Sequence, residues 1–397
     1  MDKTLSHKSH VISATLLVSG CCIGAGMIGF PIVNALAGFI PSSLAMILCY
    51  LFATASGLLI LEATLWFDKK VNLLSIVEFA LGRIVKGVTW CLFLFLFYCL
   101  FIAYIDGGGE IFTGILSTLL HKTPPHFVGP LLCILFVGAS SYAGARAVSG
   151  FSRIFVLGLI ICYCGMVSLA VAHVSGTQLL HINWRASLAT LPILLVSFGY
   201  QNLVPTLVYY AKKNVNVIRF AIFVGNLIPF LIYFLWNLTI LGILPEKDPH
   251  LLASIVHKSD MITGLLEQTS ESTRVLFFAK AFSFFAIFTP FMANTLAFVD
   301  FFKDGFKISA ESKYDLLIYA LVLLPPLVLN VFYPRLFLKA LGLAGGFADV
   351  LLFGVIPAIV VWIGRYVRNI PSSYTVRGGK LLLISILVFC IGILLSR

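Results

Sequence analysis

Two segments rich in glycine and proline interrupt apolar stretches of the chain. The first reads Gly20-Cys21-Cys22-Ile23-Gly24-Ala25-Gly26, followed by Gly29 and Pro31. The second carries Pro192, then Ser197-Phe198-Gly199-Tyr200-Gln201-Asn202, then Pro205. A glycine in a helix interior costs ~1 kcal/mol relative to alanine. A proline removes a backbone donor and clashes with the preceding turn, and Gly199 frees the torsions beside it. A helix broken at such places presents its backbone to a ligand. The N–H groups of Gly24, Ala25 and Gly26, at the head of the half-helix that follows, suit an anionic group, aided by the positive helix end. Carbonyls released at Cys22, Ile23 and Phe198 suit a cationic one.

Four ionisable residues also fall within apolar stretches. Asp106 and Glu110 are one helical turn apart, Asp349 is near the middle of its run, and Lys280 is close to the start of its own. Ionisable groups inside a membrane are functional by default. Burial disfavours the charged form of a carboxyl, which makes it a usable proton carrier near neutral pH. All 8 histidines lie outside the apolar runs, so a proton relay would use carboxylates or Lys280. Asp106 is the first expectation as proton carrier, then Asp349 as a gate or coupling residue, then Glu110. The long stem of Lys280 equally allows its ammonium to snorkel to the interface. Glu62 and Asp300 stand near the ends of their runs and are expected to reach the interface.

Composition identifies the elements that position these groups. Of 397 residues, 60% are hydrophobic and only 11% charged, and the mean hydropathy is +1.04. Ordinary soluble domains carry about 25% charged residues, and this chain has too little polar surface to coat so much apolar material. A bilayer removes that problem. A spanning helix needs roughly 20 mainly apolar residues to cross about 30 Å of hydrocarbon. Runs of this kind lie at 11–36, 41–66, 88–113, 127–144, 154–172, 188–210, 218–241, 275–298, 316–331, 338–363 and 381–396. The run at 316–331 is short and interrupted by Pro325 and Pro326. The fold class is therefore all-α integral membrane, with about 11 spans. The first run is longer than a signal h-region of ~7–15 residues and lacks a suitable cleavage site, so no cleavable signal is expected.

Loop charge sets the orientation. With the N-terminus inside and the spans alternating, 18 of the 27 lysines and arginines fall in inside segments, 8 in outside ones, and Lys280 within a span. The N-terminus is expected inside and the C-terminus outside. The formal charge of +11 fits positive loops facing an anionic leaflet. Nucleic acid is not an expected partner, because no basic stripe is interleaved with exposed aromatics. The 9 cysteines all lie in apolar runs, as small packing residues rather than a disulfide framework. No clustered histidine or aspartate accompanies them, so neither a metal site nor a cofactor is expected. No obligate protein partner is evident. Two soluble stretches stand out: 67–87, with apolar residues suited to a short interfacial helix, and 244–273.

The two interrupted runs are the first and the sixth. An unwound mid-membrane segment is tolerable only where it lines a cavity, because unpaired backbone groups in lipid cost several kcal/mol. Broken helices at matching places in two halves point to a transporter binding site. Five spans separate them, so ten spans divide into 11–172 and 188–363. An odd number of spans per repeat makes the second enter from the opposite side, which is an inverted-topology repeat. The helix at 381–396 is left over. Close helix packing of the small-xxx-small type is the other use for the first glycine cluster.

The motifs also resemble a known family. Val18-Ser19-Gly20 through Ile23-Gly24-Ala25-Gly26-Met27 and Pro31 is similar to the first helix of the hydroxy/aromatic amino acid permeases, in particular their tyrosine-specific members. The likeness continues in Leu191-Pro192, in Ser197-Phe198-Gly199-Tyr200 and in Val204-Pro205. It recurs in Ala103-Tyr104-Ile105 with Gly107-Gly108, and in Lys339-Ala340-Leu341-Gly342 with Ala344-Gly345. Length and span number agree over the whole chain. The resemblance implies a LeuT-type fold, a bacterial inner-membrane location, and symport of an aromatic amino acid with a proton as coupling ion.

Under that reading the backbone of Gly24, Ala25 and Gly26 takes the substrate carboxylate, and the carbonyls of Cys22, Ile23 and Phe198 take its ammonium. The ring needs an apolar pocket with stacking partners. Phe198, Tyr200 and Tyr104 are the candidates beside Gly199, with Gln201 or Asn202 reaching a phenol hydroxyl or indole N–H. Sodium coupling is the nearest rival and would draw on Ser283 and Thr289. A membrane-embedded hydrolase would need Asp106 and Asp349 as a dyad, but no flanking signature supports it and no histidine lies in the membrane beside a serine or cysteine. An enzyme is not expected. A channel does not require two paired breaks around a closed site.

Overall fold

The computed structural model describes residues 2–171, 174, 176–243, 273–306, 308 and 314–396. All regular structure among the described residues is helical. Each of the eleven apolar runs folds as helix. The first is a bent pair, α1 (Asp2–Cys22) and α2 (Gly26–Ala37), whose axes meet at 56° across Ile23-Gly24-Ala25. Then follow α3 (Phe39–Thr64), the short α4 (Leu73–Leu81), α5 (Arg83–Leu120), α6 (Val128–Tyr142), α7 (Ala145–Val171) and the single turn α8 (Gly176–Leu179). The sixth run comprises α9 (Trp184–Ser197) and α10 (Val204–Tyr210), and the seventh is α11 (Val215–Ile243). After these come α12 (Thr273–Phe306), α13 (Asp315–Phe332), α14 (Phe337–Leu343), α15 (Ile356–Tyr366) and α16 (Gly379–Leu395). Eight of these helical spans are long and apolar enough to cross a membrane and the bent pair makes a ninth, while α6 and α16 are shorter apolar helices.

The interfacial helix expected in 67–87 is α4, whose first turn is capped by Asn72 accepting the Ser75 N–H at 2.9 Å. Of the other soluble stretch, residues 244–272 lie outside the described residues.

The sixth run breaks later than proline placement alone suggests. Pro192 is carried inside α9, and the helix ends at Ser197, leaving Phe198, Gly199 and Tyr200 non-helical before a 3₁₀ turn over Gln201–Leu203. Gly199 does not adopt a positive φ, so it is not the torsional hinge expected of it. The tenth run holds a break of another kind, a π-helix over Ala344–Val355 between α14 and α15. Such wide turns are concentrated at functional sites. Gly345 permits it to pack: a Cβ there would fall 1.6 Å from the Pro192 carbonyl oxygen, so nothing but hydrogen lets the π-segment close on α9.

In lipid the hydrophobic effect gives helices no reason to associate, and packing and interhelical hydrogen bonds take over. The first span packs along α11, α2 against α9, α9 against the π-segment and α7 along α12. Polar side chains tie α1, α2 and α3 to α11. Ser19 on α1 donates to the Gly225 carbonyl on α11 at 2.8 Å. Asn34 on α2 donates to Asn237 on α11 at 2.9 Å, and Asn237 donates in turn to Ser42 on α3 at 3.0 Å. Asn226 on α11 reaches Thr54 on α3 at 2.9 Å. These ties hold the bent first span and α3 against the seventh.

Glu62 does not reach the interface as expected. It is fully buried at the end of α3, bound by Arg365 of α15 through both carboxylate oxygens, and it accepts the Val376 N–H at 2.7 Å. Arg365 also donates to the Val376 carbonyl at 3.1 Å. One ion pair therefore joins the ends of α3 and α15 to the loop that leads into α16.

Candidate functional site

The two breaks and the π-segment meet around a central cavity of about 310 Å³, at the lower end of the range of small-molecule pockets, about 300–1,000 Å³. One wall is a helical face of α5. Phe93, Leu96, Phe97, Leu100 and Tyr104 line it at the i, i+3, i+4, i+7 and i+11 positions of one stripe. The opposite side is the backbone of Cys22 to Gly26, with Gly199 and Asn202 from the sixth span and Asp349 and Phe353 from the π-segment. Thr289, Pro290, Ala293 and Asn294 of α12 complete it. The lining is thus mostly apolar, with a few polar groups concentrated near the breaks.

The first break opens on the cavity. Gly24, Ala25 and Gly26 lie in the cavity wall immediately before and at the start of α2. Among the described residues their N–H groups take no hydrogen bond, whereas the next two, of Met27 and Ile28, close back on the Gly24 and Ala25 carbonyls at 3.0 Å. Glycine is required at one of these places. A Cβ on Gly26 would fall 2.1 Å from Ser197 Oγ and 3.1 Å from Ser197 Cα, so the two breaks touch each other there.

The cation end differs from expectation. The Cys22 carbonyl, offered to a substrate ammonium, already accepts the Tyr233 hydroxyl at 2.6 Å, and the Phe198 carbonyl accepts the Tyr200 N–H at 3.0 Å. A released carbonyl must be satisfied in a dry site, and the protein satisfies these two internally. Of the three, the Ile23 carbonyl has no partner among the described residues. Asp349 is 3% exposed, its Oδ2 has no hydrogen-bond partner among the described residues, and it lines the cavity beside Gly199.

Three ring-pocket candidates fall outside the lining. Phe198 is fully buried behind the break, edge-on to Tyr233 at 5.4 Å. Tyr200 is fully buried too, its hydroxyl donating to the Ala53 carbonyl at 2.9 Å. Gln201 is buried with its Oε1 unpartnered, and the neighbouring Asn202 is the amide that reaches the cavity. Tyr104 lines the cavity: it stacks on Phe291 at 5.3 Å, and its hydroxyl accepts the Asn294 amide N–H at 3.0 Å.

The remaining ionisable residues are elsewhere. Asp106 accepts the N–H groups of Arg335 and Phe337 at 3.1 and 3.0 Å, closing the turn at the start of α14. It lines a separate cavity of about 190 Å³ with Glu110, Thr113, His126 and Arg335. Asp106 and Asp349 thus line different cavities, and the carboxylate dyad a hydrolase would need is not assembled. Glu110 and Lys280 are exposed on α5 and α12, and Lys280 does not line the central cavity. Of the two hydroxyls considered for sodium, both are buried and without a partner among the described residues, but only Thr289 lines the cavity.

Sequence reasoning missed Tyr233 and Asn294. A tyrosine in the middle of an apolar span signals a hydroxyl needing a partner, but the identity of that partner is a three-dimensional fact. Asn294, among the phenylalanines of α12, carried the same signal.

The comparisons with known proteins cover the whole of this architecture. A tryptophan-specific transport protein of Haemophilus influenzae is 29% identical, over 96% of this chain and 93% of its own. Tyrosine-specific transport system 1 of the same organism is 28% identical over 97% and 95%. The low affinity tryptophan permease of Escherichia coli is 27% identical over 100% and 97%. A family model for the tryptophan/tyrosine permeases matches residues 7–397. With paired broken helices around an apolar cavity and a match along nearly its full length, this chain belongs to the tryptophan/tyrosine permease family.

Proposed function

We propose that the protein imports aromatic amino acids, tryptophan and tyrosine, by proton symport across a bacterial inner membrane. It works by alternating access, with about eleven spans arranged as two inverted five-helix repeats plus α16. The N-terminus is inside and the C-terminus outside. The observation that carries this reading is the pairing, in one cavity, of the free N–H groups of Gly24, Ala25 and Gly26 with the unpartnered carboxyl of Asp349. A zwitterion needs an anion site and a cation site a few ångströms apart, and the breaks supply the first. The α5 stripe of Phe93, Leu96, Phe97, Leu100 and Tyr104 supplies an apolar slot for a flat ring.

Asp349 is the proton carrier in this account. An ionised carboxylate without a partner is expensive in a dry site. A proton removes that cost, stays on the carboxyl while the substrate ammonium donates to its carbonyl oxygen, and is released inside together with the substrate. Asp106, the earlier expectation, is committed to two backbone N–H groups and lies outside the substrate cavity. The names of the relatives, both tryptophan- and tyrosine-specific at nearly equal identity, support the substrate class. Sodium coupling through the buried Thr289 hydroxyl is the second reading.

Equilibrium binding to the purified protein tests the substrate class. Labelled tryptophan or tyrosine is expected to bind saturably in sodium-free buffer and to be displaced by aromatic amino acids but not by leucine, lysine or glutamate. No saturable binding, or equal displacement by leucine, overturns the reading.

A further inference from the structure

Cys22 ends α1 and Ser197 ends α9, so their carbonyls are among those that a helix C-terminus leaves without an intrahelical partner. Both converge on one atom. Tyr233 of α11 places its hydroxyl oxygen 2.6 Å from the Cys22 carbonyl and 3.0 Å from the Ser197 carbonyl. The ring is fully buried and held edge-on by Phe30 at 5.2 Å and Phe198 at 5.4 Å, so the hydroxyl has no freedom to swing away. Tyr233 does not line the substrate cavity.

A phenol has one hydrogen to give. The two carbonyls therefore share it, with the shorter contact on Cys22. Around this point the breaks also meet directly, at Gly26 and Ser197. We infer that Tyr233 is a positioning residue for transport: its hydroxyl bridges the two broken helices and turns the Cys22 and Ser197 carbonyls away from the ligand. It thereby fixes the Gly24–Gly26 N–H groups relative to Gly199 and Asp349 without touching substrate. The protein's own phenol does here what a bound cation would otherwise do for two converging carbonyls. This inference rests on the transport reading above, and its failure is distinguishable because the wild type is measured beside each variant.

The test is Tyr233→Phe, which keeps the ring and its packing and deletes only the hydroxyl. Binding of labelled tryptophan to purified protein and uptake into proteoliposomes are measured together with the thermal unfolding midpoint. The expected result is a Kd and KM raised at least about tenfold, with the maximal rate within about threefold and the midpoint little changed. A merely structural role would lower the midpoint and the maximal rate and leave KM alone, and that outcome overturns the inference, as does unchanged affinity. Should Tyr233→Phe not fold, 3-fluorotyrosine at 233 retains the ring and makes the hydroxyl a stronger donor. Altered tryptophan affinity supports the bridge, and wild-type affinity contradicts it. A wild type that binds neither tryptophan nor tyrosine sinks the transport reading itself.

Discussion

A Cβ added to Gly199 would lie 4.0 Å from Asp349 Oδ2, so the break of the sixth span and the acid of the tenth are neighbours in the cavity wall. Neither is there by local preference. Gly199 leaves the cavity side of the break bare, and Asp349 is carried into it by a π-helix.

Asp349→Asn removes the proposed proton site and keeps both the shape and an acceptor oxygen for the substrate ammonium. Proton-driven accumulation is expected to disappear, while exchange of external for internal substrate, which needs no net proton movement, stays within about threefold of wild type. Proteoliposome uptake and counterflow measured side by side check this, and loss of both together would place Asp349 in substrate binding alone. Asp106→Asn is expected to retain accumulation, because its oxygens serve the turn before α14.

Three glycines are expected to grade by what a methyl meets. Gly345→Ala meets the Pro192 carbonyl oxygen at 1.6 Å, which is backbone and cannot move aside, so the variant is expected not to fold. Gly26→Ala meets Ser197 Oγ at 2.1 Å and forces the two breaks apart, with folded protein but lost transport. Gly20→Ala meets nothing within 4 Å, and its stability is expected to match wild type. Thermal unfolding in detergent and uptake separate the three.

Asn294→Leu leaves the Tyr104 hydroxyl without its donor and removes a polar group from the ring wall. KM for tyrosine and tryptophan is expected to rise by roughly tenfold, the worth of one hydrogen bond in a dry site, with the maximal rate retained. Competition between the two labelled substrates before and after substitution reads any change in preference. An unchanged KM for both would remove Asn294 from the site.

Arg365→Met strands the fully buried Glu62. Breaking one side of a buried ion pair costs about 3–5 kcal/mol, so a large fall in thermal midpoint is expected. Replacing both, Glu62→Leu with Arg365→Leu, is expected to recover much of it. A double variant no better than the single would show that the Val376 contacts, rather than the ion pair, hold the loop.

Much of this was legible in the residues. The eleven helical runs follow from length and hydropathy alone, and the first break from its glycines, because both are local properties of the chain. The N–H groups of Gly24 to Gly26 follow from the same break. What was not legible depends on which faces meet. Phe198 and Tyr200 lie within the second break yet turn into the packing, because the helix ends at Ser197 and the next residues rotate away from the cavity. The π-helix that carries Asp349 closes on α9 only because residue 345 has no side chain, a contact its apolar sequence does not reveal. Glu62 looked interfacial because it stands near a run's end, and only Arg365, three hundred residues on, makes its burial tolerable.

The most direct measurement is uptake of radiolabelled tyrosine and tryptophan into proteoliposomes under an inward proton gradient without sodium. Concentrative uptake that collapses with a protonophore, and is absent in Asp349→Asn, is the expected result. Uptake that appears only with sodium would contradict proton coupling and move the ion to Thr289, and no uptake of either substrate by folded protein would contradict the account as a whole.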